Sequence, residues 1–225
     1  MTDGFLGFLL EDPVGGFETV DTVRIMLFLT LLSLAPSFLI LTTSFTRVII
    51  VLSFLRNALG TQQAPPNTLL IGIALFLTLF IMQPVYSGIM DEALTPLMEG
   101  EITEEEALGT SSDYLKRFML EQTREKDLAL FLRASGSGNV ENPMDLALTT
   151  VIPAFALSEL KTAFSIGFII FVPFLVIDMV VSSILMSMGM FMLPPVMISL
   201  PFKVLLFVLV DGWYLVVESM LQGFT

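Results

Sequence analysis

Apolar and polar positions divide the chain into long hydrophobic blocks separated by one polar interval. Runs long enough to cross roughly 30 Å of hydrocarbon, at about 20 residues each, occupy 25–41 with a continuation to 55, then 68–90, 163–188 and 204–221. This pattern predicts four helical spans. The first region, 25–55, is too long for one straight span, and it is interrupted by Pro36 and by the polar group Thr42, Thr43, Ser44, Thr46 and Arg47. A kinked or broken helix is predicted there. Residues 1–21 form an acidic N-terminal tail with no Lys or Arg and no pattern of a secretory signal peptide.

Between the second and third runs lies 91–145, with thirteen acids and five bases. It is predicted to stand in water. Thr103 and Glu106 have the spacing of a capping box, and Ser112 is a candidate N-cap for a helix running through Arg133. A break is predicted at 134–143, where Ser, Gly, Asn and Pro cluster. The chain therefore reads as an all-α membrane protein in four parts: the tail 1–21, a first apolar helical region 22–90, a mostly helical acidic extramembrane insert 91–145, and a second apolar helical region 146–225.

Composition removes most catalytic chemistry. The 225 residues are 55% hydrophobic and 14% charged, with a mean hydropathy of +0.86, no Cys and no His. Disulfides, thiolate nucleophiles, imidazole bases and Cys/His zinc sites are excluded. The net charge of −12 argues against contacts to a phosphate backbone, so nucleic acid is not an expected partner. Arg47, Arg56 and Lys203 flank the short loops, which places those loops in the cytoplasm and the insert on the outer side.

Ionisable residues in or beside the apolar blocks are the candidates for function, because a charge at the bilayer centre costs about 2.5–3.5 kcal/mol even on the lenient insertion scale. They are Arg47, Glu159, Lys161, Asp178, Lys203, Asp211 and Glu218. Asp178 shares a helical face with Ser182 and Gly189, a polar and small stripe suited to a protein neighbour. A structural ion pair, a proton or ion relay, and one half of an aspartyl dyad with Asp211 are all compatible with this acid. Ser158 with Lys161 is the one spacing that resembles a Ser/Lys pair. Met186, Met188, Met190 and Met192 run into Pro194 and Pro195, which forbid a continuous helix, so a loop is predicted. Its flexible thioethers suit either gap filling or a yielding seal.

Two segments carry a family resemblance. PAFALSELKTAF at 153–164 and PFLVIDMVVSSILMSMGM at 173–190 resemble the two signatures of the FliP family of flagellar type III export-gate proteins. The likeness extends over 34–59, including Pro36, Thr42, Thr43, Phe45, Arg47 and Arg56, over Ala64, Pro65 and Pro66, and from Leu193 through Lys203 to Trp213. It implies a non-enzymatic subunit without cofactor or metal. About five copies would assemble with FliQ, FliR and other export-apparatus membrane proteins into a helical multi-subunit gate. That gate would sit in the bacterial inner membrane within the flagellar basal body, with the insert periplasmic, and would pass unfolded flagellar proteins. The resemblance makes Met188, Met190, Phe191 and Met192 a gasket, with Phe191 where a further methionine is common. It makes Glu159, Asp178 and Lys203 intersubunit pairing sites. The competing readings from the residues alone are a proton- or ion-coupled transporter and an intramembrane aspartyl hydrolase.

Overall fold

In the computed structural model, residues 19–61, 63–135 and 142–224 are described, and among these every regular element is a helix. The predicted break in the first apolar region is present, but not at its proline. Helix α1 (Thr19–Thr42) carries Pro36 inside it, and α2 (Phe45–Leu59) begins after Thr43 and Ser44. Hydroxyls close the end of α1 where backbone donors run out. Thr42 and Thr43 Oγ1 donate to Phe38 O and Leu39 O at 2.8 and 2.6 Å, and Thr46 Oγ1 reaches Ile40 O at 2.5 Å.

The second run is also divided. Helix α3 (Asn67–Ile81) meets α4 (Gln83–Ile89) at Met82, two residues before Pro84, and the stretch from Gln83 to Glu99 is bent by 56° from α3. A π-turn (Met90–Leu94) and α5 (Thr95–Glu99) lead into the insert. There Thr103 and Glu106 form the predicted capping box and start α6 (Glu104–Gln122). Ser112 lies inside α6, so the predicted helix from Ser112 to Arg133 is corrected: the helix starts earlier, stops at Thr123, and is followed by α7 (Glu125–Ser135). The reciprocal Thr103/Glu106 bonds satisfy orphan amides that Ser112, eight residues into the helix, has no occasion to cap. The predicted break falls largely on 136–141, outside the described residues.

Helix α8 (Leu148–Ser187) runs for 40 residues, about 60 Å. It begins well before the apolar run that announced it and contains both Pro153 and Pro173. After the turn at 188–194, α9 (Pro195–Leu209) and α10 (Gly212–Gln222) replace the single span expected at 204–221, with a bend of 62°. Asp211 adopts a left-handed conformation at the corner (φ 51). Gly212 is required beyond it, because a Cβ there would lie 2.1 Å from the Phe207 ring.

Among the described residues two helices, over 25–42 and 148–187, are long and apolar enough to cross a membrane, and up to four spans result if each bent pair counts as one. Helix α2 is the most enclosed element: Val48, Val51, Leu52 and Leu55 are buried against Ala163 and Phe174 of α8 and Phe207 of α9. Close contact, such as Phe54 edge-on to Phe164 with centroids 5.1 Å apart, holds this core. Apolar area alone gives little drive between helices in lipid. A second cluster joins Met82 and Val85 to Phe118 and Met119 of α6 and Phe155 of α8, which seats the insert on the first turns of α8.

Candidate functional site

Polar side chains on α8 recur at two levels, and each level ties α8 to α2. At the first, Arg47 in the opening turn of α2 donates from Nε to Glu159 Oε2 at 2.9 Å and from Nη2 to Glu159 Oε1. Arg47 is 3% exposed and Glu159 0%. The planar fork matches a carboxylate in two parallel bonds, a geometry a lysine cannot reproduce. Two further donors are used, Nη2 on Gln122 Oε1 of α6 at 3.1 Å and Nη1 on Gly223 O at 2.9 Å.

On the same stretch of α8, the insert is held by a second cluster. Asp127 of α7, 2% exposed, accepts from Ser158 Oγ at 2.9 Å and from Lys161 Nζ. Ser158 Oγ also accepts from Arg124 N at 3.0 Å, and Arg124 Nη2 donates to Thr162 Oγ1 at 3.1 Å. Burial pushes the Asp127 carboxyl upward, but the bonds from Lys161 and Ser158 outweigh it and hold the group below its ordinary value. Ser158 and Lys161 are therefore not a nucleophile and its base. Both spend their polar groups on Asp127.

At the second level Asp178 Oδ2 meets Lys203 Nζ at 2.7 Å, and Ser199 Oγ donates to Asp178 Oδ1 at 2.5 Å. Lys203 Nζ also donates to Ala58 O at 3.2 Å, so α8, α9 and the end of α2 join at one point. Glu159 and Asp178 are separated along α8 by about 28 Å, at 1.5 Å per residue. In the single chain the three charges singled out from sequence already have opposite partners, Glu159 with Arg47 and Asp178 with Lys203. No contact across subunits is needed to neutralise them. Asp211 lies at the α9/α10 corner, and Asp178 is committed to Lys203 and Ser199, so the two do not act as a shared-proton dyad. Gly189 drops out of the predicted stripe with Asp178 and Ser182, because α8 ends at Ser187.

The predicted loop is present and firmly based. Gly189 adopts φ 74, its N–H donates to Met186 O at 3.1 Å, and Met190 N–H donates to Leu185 O at 3.0 Å. This is a Schellman closure, which a left-handed glycine permits. On the other side Pro195 occupies the first turn of α9, where its missing N–H costs nothing. Met188, Met190, Phe191 and Met192 project from this base, Phe191 at 78% and Met192 at 98% exposure. Among the described residues no group of three acids is placed to hold a metal ion.

Sequence reasoning missed Asp127, Arg124, Gln122 and the Gly223–Phe224 segment. One signal for them exists in the sequence: Ser158, Lys161 and Thr162 form a polar stripe on an otherwise apolar helix and so require partners.

The FliP family profile matches residues 28–220. The chain is 62% identical over 218 residues to the flagellar biosynthetic protein FliP of Bacillus subtilis, covering 96% of this chain and 97% of that protein. The protein of the same name from Pectobacterium carotovorum is 51% identical over 94% of this chain and 82% of its own length. That from Aquifex aeolicus is 51% identical over 96% and 91%.

Proposed function

Because the chain belongs to the FliP family, we propose that it is a non-enzymatic core subunit of the flagellar type III export gate, forming with its copies a channel for unfolded flagellar proteins across the bacterial inner membrane. About five copies assemble with FliQ, FliR and other export-apparatus membrane proteins into a helical gate, and the insert faces the periplasm. The observation that carries this reading is the pairing of a rigid loop base with exposed, soft side chains at 188–192. Several copies would bring Met188, Met190, Phe191 and Met192 together as an apolar constriction that excludes ions by dewetting and yields to a passing chain. The internal commitment of Glu159 and Asp178 supports a structural rather than a proton-relaying use of these acids.

The test is assembly. Purified from mild detergent together with FliQ and FliR, the chain should run as a stable particle of several copies by mass measurement. A monomer that moves ions in liposomes would overturn the proposal in favour of a transporter.

A further inference from the structure

Gly223 and Phe224, which follow α10, are held by contacts rather than trailing from the helix. Helix α10 has no basic residue in its last turn, so its final carbonyls and the partial negative charge there lack a cation of their own. Arg47 supplies one from α2 by donating to Gly223 O at 2.9 Å. The chain then turns, with Phe224 N–H on Leu221 O at 3.1 Å. The Phe224 ring lies 3.7 Å from Arg47 Cζ and stacks on Phe118 of α6, with 6.2 Å between centroids and 16° between planes. The same guanidinium holds Gln122 at the end of α6. Arg47 thus connects α10 to α6, with Phe224 filling the space beside both.

We propose that Gly223–Phe224 is a strap that couples the acidic insert to the bent α9/α10 pair. Helix α6 meets it at Phe118 and Gln122 of its C-terminal turns, beside its own packing on Met82, Val85 and Phe155, whereas α7 has a separate anchor in Asp127 with Ser158 and Lys161. Releasing the strap loosens the last turns of α6 and α10 together and leaves α7 docked. The coupling is reciprocal, since two segments that stabilise each other through one contact must each respond to loss of the other.

Amide hydrogen exchange on the full chain in mild detergent tests this. In Phe224→Ala, amides of 112–122 and of 216–222 should exchange about tenfold faster, while those of 125–135 and 48–59 keep their rates. Phe118→Ala, altered only on the insert, should accelerate 216–222 by a similar factor. Unchanged exchange over 112–122 in Phe224→Ala, or over 216–222 in Phe118→Ala, overturns the proposal and leaves a local end contact. Should Phe224→Ala accelerate exchange everywhere, the milder Phe224→Leu is read at the same two segments, and a change confined to one of them is equally decisive against the strap.

Discussion

Arg47 and Glu159 lie 112 residues apart in sequence and meet fork to fork, two guanidinium nitrogens on two carboxylate oxygens, with almost no surface left to water. Deleting one member leaves the other as an uncompensated buried charge, which typically costs about 3–5 kcal/mol, whereas an apolar pair of similar volume is often neutral. Arg47→Ala and Glu159→Ala are each expected to lower the midpoint of thermal unfolding in detergent substantially. Arg47→Met with Glu159→Leu should recover much of the loss. Single variants as stable as the parent would rule out this pair as a keystone of the fold.

The Asp178/Lys203 contact joins α8, α9 and α2 at the far level. Because the pair lies within one chain, Asp178→Ala or Lys203→Ala is expected to destabilise the folded chain and so reduce the share of it recovered in the assembled complex at least severalfold. Quantifying the particle against total chain on the same gel checks this. Full assembly of both variants with export abolished would instead favour an ion relay.

For Asp127 the sign of the pH effect follows from its lowered folded-state value. The unfolded chain binds a proton more readily, so the anchor contributes fully above the ordinary carboxylate pKa of about 3.9 and is lost as pH falls through the lower folded value. Cleavage by an acid-active protease within α7 should therefore rise as pH falls below about 4 in the parent. Asp127→Asn should show the raised cleavage already at about pH 5, where the parent's anchor is still intact, and little further change on acidification. Identical pH profiles for the two proteins would refute the assignment.

Replacing Met190, Phe191 and Met192 together by Ala removes side chains that stand outside the subunit's own core. Assembly is expected to persist, since surface truncations away from buried features usually change stability by less than about 0.5 kcal/mol. Cells carrying the assembled variant should leak small ions, while export falls modestly at most. An ion-tight triple variant would reduce these residues to junction filler.

Sidedness is checked by single cysteines, which the cysteine-free chain makes unambiguous. A cysteine at Glu105 in the insert should react with an impermeant maleimide added from the periplasmic face, and one at Thr61 only from the cytoplasmic face. The opposite labelling would invert the orientation.

The apolar runs made the helices legible, because stretches of this length without charges have few other structures open to them. Where the helices break was not legible. Pro36 was the conspicuous breaker, yet α1 passes through it and stops where Thr42, Thr43 and Thr46 can take over the last carbonyls. The corner at Asp211 depends on Gly212 lying against Phe207, a tertiary contact with no local signature. The Met/Pro loop was legible because prolines cannot continue a helix, whereas Gly189, which closes α8, was assigned to a helical stripe instead. Asp127 was not, since in a segment of thirteen acids only the fold distinguishes the one that finds Ser158 and Lys161.

The spacing of the two ionic levels on α8 makes that helix a ruler. The stretch from Glu159 to Asp178 measures about 28 Å, close to the hydrocarbon thickness of a bilayer at about 30 Å. A membrane registered on it during insertion would carry Arg47 with Glu159 at the boundary nearer the insert and Asp178 with Lys203 at the other, which corrects the place of Arg47 read from sequence and leaves Arg56 and Lys203 as the flanks of the short loops. The penalty for charge falls steeply from the midplane to the interface, so these four residues would escape most of the cost that their place in apolar sequence suggests. The turns of α8 before Glu159, with the insert packed on them, would then stand clear of the lipid as a stalk.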